Sequence, residues 1–250
     1  MVFETACEAD RDAVRTLWTE AFTDDTPEDV DVFLERWFAS DAVLLVRDGN
    51  TVASMLFLLP QPLCIGERVL TAGYIYAGAT AVSYRGQGLY RRLLDFASRY
   101  AEQRGMAALF LHPADESLAD SYVRMGFTVP MTCAPTMDVE QTGDRTLLSA
   151  AEYRTARKRA LADEAAYIDW TADALEYALT WCRAVRAGES VALLGERSGQ
   201  PFAWECFGAL PLPAGGGRSP GTAETVGLMK WLDESDGSCP STVYMGYGWE

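Results

Sequence analysis

Between the apolar run that ends at Val82 and an amphipathic stretch that begins at Leu89, the sequence reads SYRGQG, placing Arg85, Gly86, Gln87 and Gly88 in a row. Glycine weakens a helix, yet two glycines stand where a helix must nucleate. The first amides of any helix have no acceptor inside it, and the helix dipole adds partial positive charge at that end. Glycines let a ligand approach those amides closely, so these residue types at this spacing describe an anion site suited to phosphate. Charge supports the same reading. Arg85, Arg91, Arg92, Arg99 and Arg104 face only Asp95 and Glu102, a local excess of three positive charges in a chain whose net charge is −15. The expected ligand of the turn is a pyrophosphate.

The two familiar nucleotide motifs do not fit. A P-loop needs a Lys-Ser or Lys-Thr pair, and the sequence has neither. The dinucleotide fingerprint needs glycine or alanine where Arg91 stands, and no acid ends the following apolar run at residues 107–111 to hold a ribose; His112 and Pro113 come instead. His112 is the only histidine, and the six cysteines are scattered with no C-x-x-C pair, so no metal site is expected. An overall pI of about 4.5 argues against a nucleic-acid partner, which would require a basic face. No apolar run approaches the roughly 20 residues needed to span a bilayer. The acidic first ten residues have no signal-peptide pattern, and the cysteines lie mostly in apolar segments. The expectation is a cytoplasmic protein with no membrane association.

The elements that must position the turn are legible. Leu89, Leu93, Phe96, Ala97 and Tyr100 form the stripe of an amphipathic helix that stops at Gly105. FETACEADRDAVRTLWTEAF reads as a first strand and then a helix carrying Val14, Leu17, Trp18, Ala21 and Phe22. Thr26-Pro27-Glu28-Asp29 starts a second helix, with a capping threonine and proline at the first helical position. Residues 42–59 read as two strands around Asp48-Gly49, a hairpin signal.

With those residues in place, VSYRGQGLYRRLL resembles motif A of the GCN5-related N-acetyltransferase (GNAT) superfamily, with pattern [QR]-x-x-G-x-[GA]. Arg85, Gly86, Gln87 and Gly88 match, whereas Tyr90 replaces the last small residue. LADSYVRMGF resembles the second signature, with Tyr122, Gly126 and Phe127 in place; Asp115 stands where the family often has asparagine. The resemblance covers roughly the first half of the chain. It implies an α/β (α+β) fold: a mixed, mostly antiparallel twisted sheet flanked by helices, in the order β-α-α-β-β-β-α-β-α-β. It implies acetyl-CoA as cosubstrate, held by Ala81, Val82, Arg85, Gly86, Gln87, Gly88, Leu89 and Tyr90, with a backbone amide near Val82 as oxyanion donor and Tyr122 as general acid. The acceptor is a small-molecule or peptide amine; Asp24, Asp25, Glu28, Asp29 and Asp31 favour a cationic one. A catalytically idle acyl-CoA-binding or sensor module of the same fold is the alternative.

The second half, residues 137–250 after a catalytic domain at 1–136, reads as a shortened echo of the first. Ser149 and Glu152 form a capping box. SVALLGE and PFAWECF read as strands, and STVYMGYGWE as a closing strand. TADALEYALTWCRAV and AETVGLMKWL read as helices, and the loop at residues 215–221, with Arg218 and Pro220, as a plain turn. The pairing of a catalytic domain with a second acetyltransferase-like half resembles the enhanced-intracellular-survival type. That type uses its C-terminal carboxylate as base, which implies Glu250, packed by Trp249. Glu205, among Phe202, Trp204 and Phe207, is the other candidate base. The oligomeric state is not written in the sequence.

Overall fold

In the computed structural model, which describes residues 1–133, 145–197, 200–208, 224–233 and 239–246, strand β1 (Val2–Thr5) pairs antiparallel with β2 (Val43–Asp48). Gly49, at φ +58°, turns β2 into β3 (Thr51–Ile65), its antiparallel neighbour. Before them come α1 (Arg11–Ala21), burying Val14, Leu17 and Trp18, and α2 (Pro27–Trp37), burying Val30, Phe33 and Leu34. The capping box expected at Thr26 is present: its hydroxyl accepts the Asp29 amide at 3.2 Å, and the Asp29 carboxylate accepts the Thr26 amide at 3.2 Å. Then follow β4 (Arg68–Thr80), α3 (Leu89–Gln103), β5 (Ala108–Leu111), α4 (Glu116–Val123) and β6 (Val129–Cys133). This is the element order the resemblance implied.

The chain divides into two compact units: Met1–Pro60, Thr71–Leu111 and Trp231–Asp233 form the first, and Gln61–Leu70, His112–Lys230 and Glu234–Glu250 the second. The boundary expected at 136/137 lies outside the described residues. The sheet of the first unit runs β1-β2-β3-β4-β5. Its core includes a ring cluster in which Trp18 packs on Phe33, Phe57 and Tyr76 at centroid distances of 4.8–5.8 Å. Helix α3 buries Leu89, Leu93, Leu94, Ala97, Ser98 and Ala101.

Strand β4 carries the feature that shapes the site. It pairs parallel with β5 at Ala72, Gly73 and Tyr74 only, so residues 75–80 continue with no β5 partner. Ala77 has φ +46°, the one positive value at a non-glycine among the described residues. Strict alternation would send residue 78 to the side of Tyr74 and Tyr76, toward α1 and α2. Instead Gly78 faces Tyr90 in α3, because the left-handed turn at Ala77 resets the alternation as a bulge does.

In the second unit β6 lies between β12 (Glu224–Trp231) and β13 (Val243–Tyr244), and β13 runs parallel to both β6 and β8 (Ala166–Ile168). Residues 63–65 of β3 pair antiparallel with β8. A separate four-stranded sheet has the order β11-β10-β9-β7, from β7 (Thr146–Leu147), β9 (Arg183–Ala187), β10 (Ser190–Arg197) and β11 (Gln200–Phe207). Helix α5 (Ala150–Ala160) opens at the Ser149–Glu152 capping box and α6 (Ala172–Ala178) at Thr171.

Two helix expectations are overturned. AETVGLMKWL is strand β12, because Thr225, Val226 and Gly227 are poor helix formers and Met229 and Trp231 bury one side of a pairing with β6. The helix read through residues 171–185 stops at Ala178, and Ala184 and Val185 are buried in β9. Among the described residues the closing strand spans Val243–Tyr244; residues 247–250, like the loop at 215–221 with Arg218 and Pro220, lie outside the described residues. The cysteines are free thiols, and burial pushes Cys182 up to about 12. Among the described residues no helix is long and apolar enough to cross a membrane, and no cluster of His, Cys, Asp or Glu could hold a metal ion.

Candidate functional site

The glycine turn has the geometry of an anion cradle. Gly86 has φ +75°, and Gly88, the residue preceding the first turn of α3, has φ +69° and ψ 16°. A β-carbon at either position would meet nothing within 4 Å, so the space over the turn is open. The Arg85 amide closes a short turn onto the Val82 carbonyl at 3.3 Å, and the first helical bond runs from the Arg92 amide to Gly88 at 3.2 Å. Between them the amides of Gly86, Gln87, Gly88 and Leu89 have no acceptor among the described residues. Arg85 is braced by its Nε on the Thr80 carbonyl at 3.0 Å. Arg104 pairs with Asp41 at 3.1 Å and Arg92 lies over the Phe3 ring, whereas exposed Arg91 has no partner among the described residues. A cation in the first turn of a helix opposes the dipole; an anion bound at the turn removes that conflict.

The approach to the turn is fixed by groups the sequence reading missed. The Ala81 amide donates to the Ala53 carbonyl at 3.0 Å, and the Val82 amide to the Glu20 carboxylate of α1 at 2.9 Å. Both amides are therefore engaged, and the oxyanion donor expected near Val82 is not free there. Main chain without a β5 partner lies further back, at residues 75–80 of β4. Buried Ser54 anchors the end of that stretch, its Oγ donating to the Ala79 carbonyl at 2.7 Å and lying 2.8 Å from the Thr80 hydroxyl. Nothing in the spacing of Glu20 to Val82, 62 residues apart, could have signalled their contact.

The acids between α1 and α2 are mostly committed to the fold. Asp25 accepts the Trp18 indole N–H at 2.6 Å, Asp29 closes the capping box, and Asp31 forms a two-pronged pair with Arg15 that holds its carboxyl below the usual range. Asp24 keeps no partner among the described residues, and Glu20 has no cationic one. Of the five acids read as favouring a cationic acceptor, Asp25, Asp29 and Asp31 are thus engaged within the fold.

Tyr122 is in the second unit, half-buried in the last turn of α4, with its ring edge-on to Phe127 at 5.8 Å. Its carbonyl accepts the amides of Met125 and Phe127, closing the helix around Gly126 at φ +92°. This explains the Gly-Phe of the second signature as a helix stop. Asp115 caps the same helix through the Leu118 amide at 2.7 Å, which is its job in place of asparagine. His112 is half-buried at the end of β5. Glu205 is committed elsewhere: fully buried, it takes the Arg157 Nε at 2.8 and 3.1 Å and the hydroxyls of Tyr153 and Tyr244 at 2.8 and 3.0 Å. Buried and already accepting from Arg157, Tyr153 and Tyr244, this carboxylate is taken up by the packing of the second unit. Glu250 and Trp249 lie outside the described residues.

An acetyltransferase (GNAT) domain family matches residues 3–129. The chain belongs to the GNAT superfamily. Solved structures agree on the fold. A GCN5-related N-acetyltransferase from Anabaena variabilis aligns over 93% of this chain and 73% of its own, with TM-score 0.70 and 11% identity. One from Kribbella flavida aligns over 93% and 71%, with TM-score 0.65 and 14% identity. Eis1 from Mycobacterium abscessus aligns over 94% and 75%, with TM-score 0.64 and 9% identity. No curated protein matches the sequence. For this GNAT chain the reaction class is acyl transfer and the cosubstrate class an acyl-CoA; the glycine turn and its open amides fit the pyrophosphate of such a cosubstrate.

Proposed function

We propose that the protein transfers an acetyl group from acetyl-CoA to a primary amine by direct attack of the amine on the thioester. The observation that carries this reading is an open glycine-built turn in the same unit as a stretch of β4, residues 75–80, that runs on past its pairing with β5. Acetyl-CoA, when bound, supplies an activated acyl carbon and a thiol leaving group. Arg85, Gly86, Gln87, Gly88, Leu89 and Tyr90 hold the pyrophosphate through amides, the α3 dipole and the arginine charge. Ala81 and Val82 line the path beside them. Main-chain amides of β4 beyond its pairing with β5 are the groups that can offset negative charge on the thioester oxygen. Tyr122 is the general acid, since a phenol with an ordinary pKa near 10 suits a departing thiolate. Glu250, through the C-terminal carboxylate, is the general base. The acceptor is a small cationic amine or peptide amine, drawn by exposed Asp24 and Glu20. Residues 1–136 act as the catalytic domain and residues 137–250 as a GNAT-like half.

A thiol-release assay over a panel of amines tests this. Polyamines, aminoglycosides and basic peptides should turn over faster than neutral or acidic acceptors. The saturation of Glu205 favours a second reading, a catalytically idle acyl-CoA-binding module, which requires binding with no thiol release from any amine. If the enzyme reading holds, Tyr122→Phe and deletion of Trp249 and Glu250 should each lower kcat by about 10²-fold or more while acetyl-CoA affinity is kept. Wild-type kcat in either variant would remove that group from the mechanism.

A further inference from the structure

Glu20 stands in the last turn of α1, where a carboxylate opposes the helix dipole, and no cation among the described residues pairs with it. Its hydrogen-bond partner is the Val82 amide, 2.9 Å away and in the same unit. Both residues are exposed, so burial does not dictate the contact. A second acid repeats the pattern: Asp48, at the end of β2, accepts the Tyr84 hydroxyl at 3.2 Å. Two carboxylates thus flank a turn whose open amides and arginine suit an anion. Each holds a neutral donor, and Arg85 is braced on a carbonyl instead.

Val82–Tyr84 form a single 3-10 turn, which the Arg85 amide closes on the Val82 carbonyl at 3.3 Å. Val82 opens that turn, so the group that holds its amide fixes the start of the segment delivering Arg85 and Gly86. Left loose, this segment would have to be ordered whenever a ligand bound, and the lost backbone freedom would weaken binding. Against that stands repulsion between an exposed carboxylate and a bound phosphate, which water and salt screen. Ordering is the larger effect. We propose that Glu20 is a positioning residue for the cofactor turn, tying the Val82 amide to α1 so that the turn is set before the acyl-CoA arrives. The backbone allows a second way to do the same. Ala81, at φ −55° and ψ 140°, is close to the polyproline geometry favoured before a proline, and proline suits the first position of a helical turn. A proline at 82 would hold by its ring what Glu20 holds by a hydrogen bond.

The inference rests on the acyl-CoA reading of the turn, and its test separates the two. Acetyl-CoA dissociation constants are measured by calorimetry for the wild type, Glu20→Ala, Glu20→Gln, Val82→Pro, and Glu20→Ala combined with Val82→Pro. Glu20→Ala puts a good helix former at an exposed helical site, so the variant should fold. It should weaken binding by about tenfold, the scale of one hydrogen bond to a charged group. Glu20→Gln keeps an oxygen that can accept the Val82 amide and should recover most of that loss. In the Val82→Pro background, which has no amide to hold, Glu20→Ala should change affinity by less than about twofold, as for uncoupled sites. Should Val82→Pro not fold, the glutamine variant decides. Wild-type or tighter affinity in Glu20→Ala overturns the proposal and leaves the turn as a cofactor site. So does a Glu20→Gln protein as weak as the alanine variant, or a full Glu20→Ala loss in the proline background. A wild-type protein that binds no acetyl-CoA overturns the cofactor reading and this inference with it.

Discussion

Gly88→Glu should abolish acetyl-CoA binding, lowering affinity at least about a thousandfold on the several kcal/mol that facing like charges cost. Gly88 has φ +69° and opens α3, and the space over it is clear. A glutamate there places a carboxylate among the four open amides at residues 86–89, where it satisfies them internally and repels the pyrophosphate. The left-handed backbone also disfavours any side chain, by about 1–2 kcal/mol. Gly88→Ala separates these causes, since alanine shares the backbone strain but brings neither bulk nor charge and its β-carbon meets nothing. Calorimetry should find near-wild-type affinity in a folded Gly88→Ala protein and none in Gly88→Glu. Unchanged affinity in folded Gly88→Glu would place the cofactor elsewhere.

The largest expected stability effect lies in the second unit. Arg157 is fully buried and spends its donors on Glu205, on the Ile168 carbonyl at 2.6 Å and on the Met245 carbonyl at 3.2 Å, which also accepts the Trp170 indole at 2.9 Å. Gly246, at φ +75°, passes so close that a β-carbon would lie 2.1 Å from the Glu205 carboxylate. Arg157→Met leaves a buried carboxylate without its cation and should cost about 3–5 kcal/mol in urea unfolding. Arg157→Met with Glu205→Leu removes both charges and should restore much of that loss. A single variant within about 1 kcal/mol of wild type would mean the pair contributes little. The same cluster fixes an alkaline limit. Burial, and then the Glu205 charge, hold the Tyr153 phenol well above its ordinary range. Its contribution is complete below the ordinary tyrosine value near pH 10 and is lost as pH rises beyond it toward the folded value. That loss should be absent in Tyr153→Phe.

Residues 1–133 could be read in order because their signals are local. The Thr26 capping box, the Asp48-Gly49 turn and the α3 stripe each depend on a few neighbouring residues, and each appears where local chemistry placed it. The glycine turn was legible for the same reason: two glycines and one arginine within residues 85–90 mark it. Strand β12 was misread because its β identity comes from pairing with β6, nearly a hundred residues away in the chain, which local propensity cannot register. Glu205 sat plausibly in an apolar strand, yet only the fold could bring Arg157, Tyr153 and Tyr244 onto it and withdraw it from chemistry. Glu20 reached the Val82 amide in the same unsignalled way. Sequence alone determined a glycine turn at the start of a helix and the GNAT fold that carries it. Tertiary structure decided which amides remain open, which acids are already committed, and that one left-handed alanine turns Gly78 beneath Tyr90. Those outcomes depend on contacts between residues distant in the chain, and on a backbone angle that no residue type at position 77 foretells.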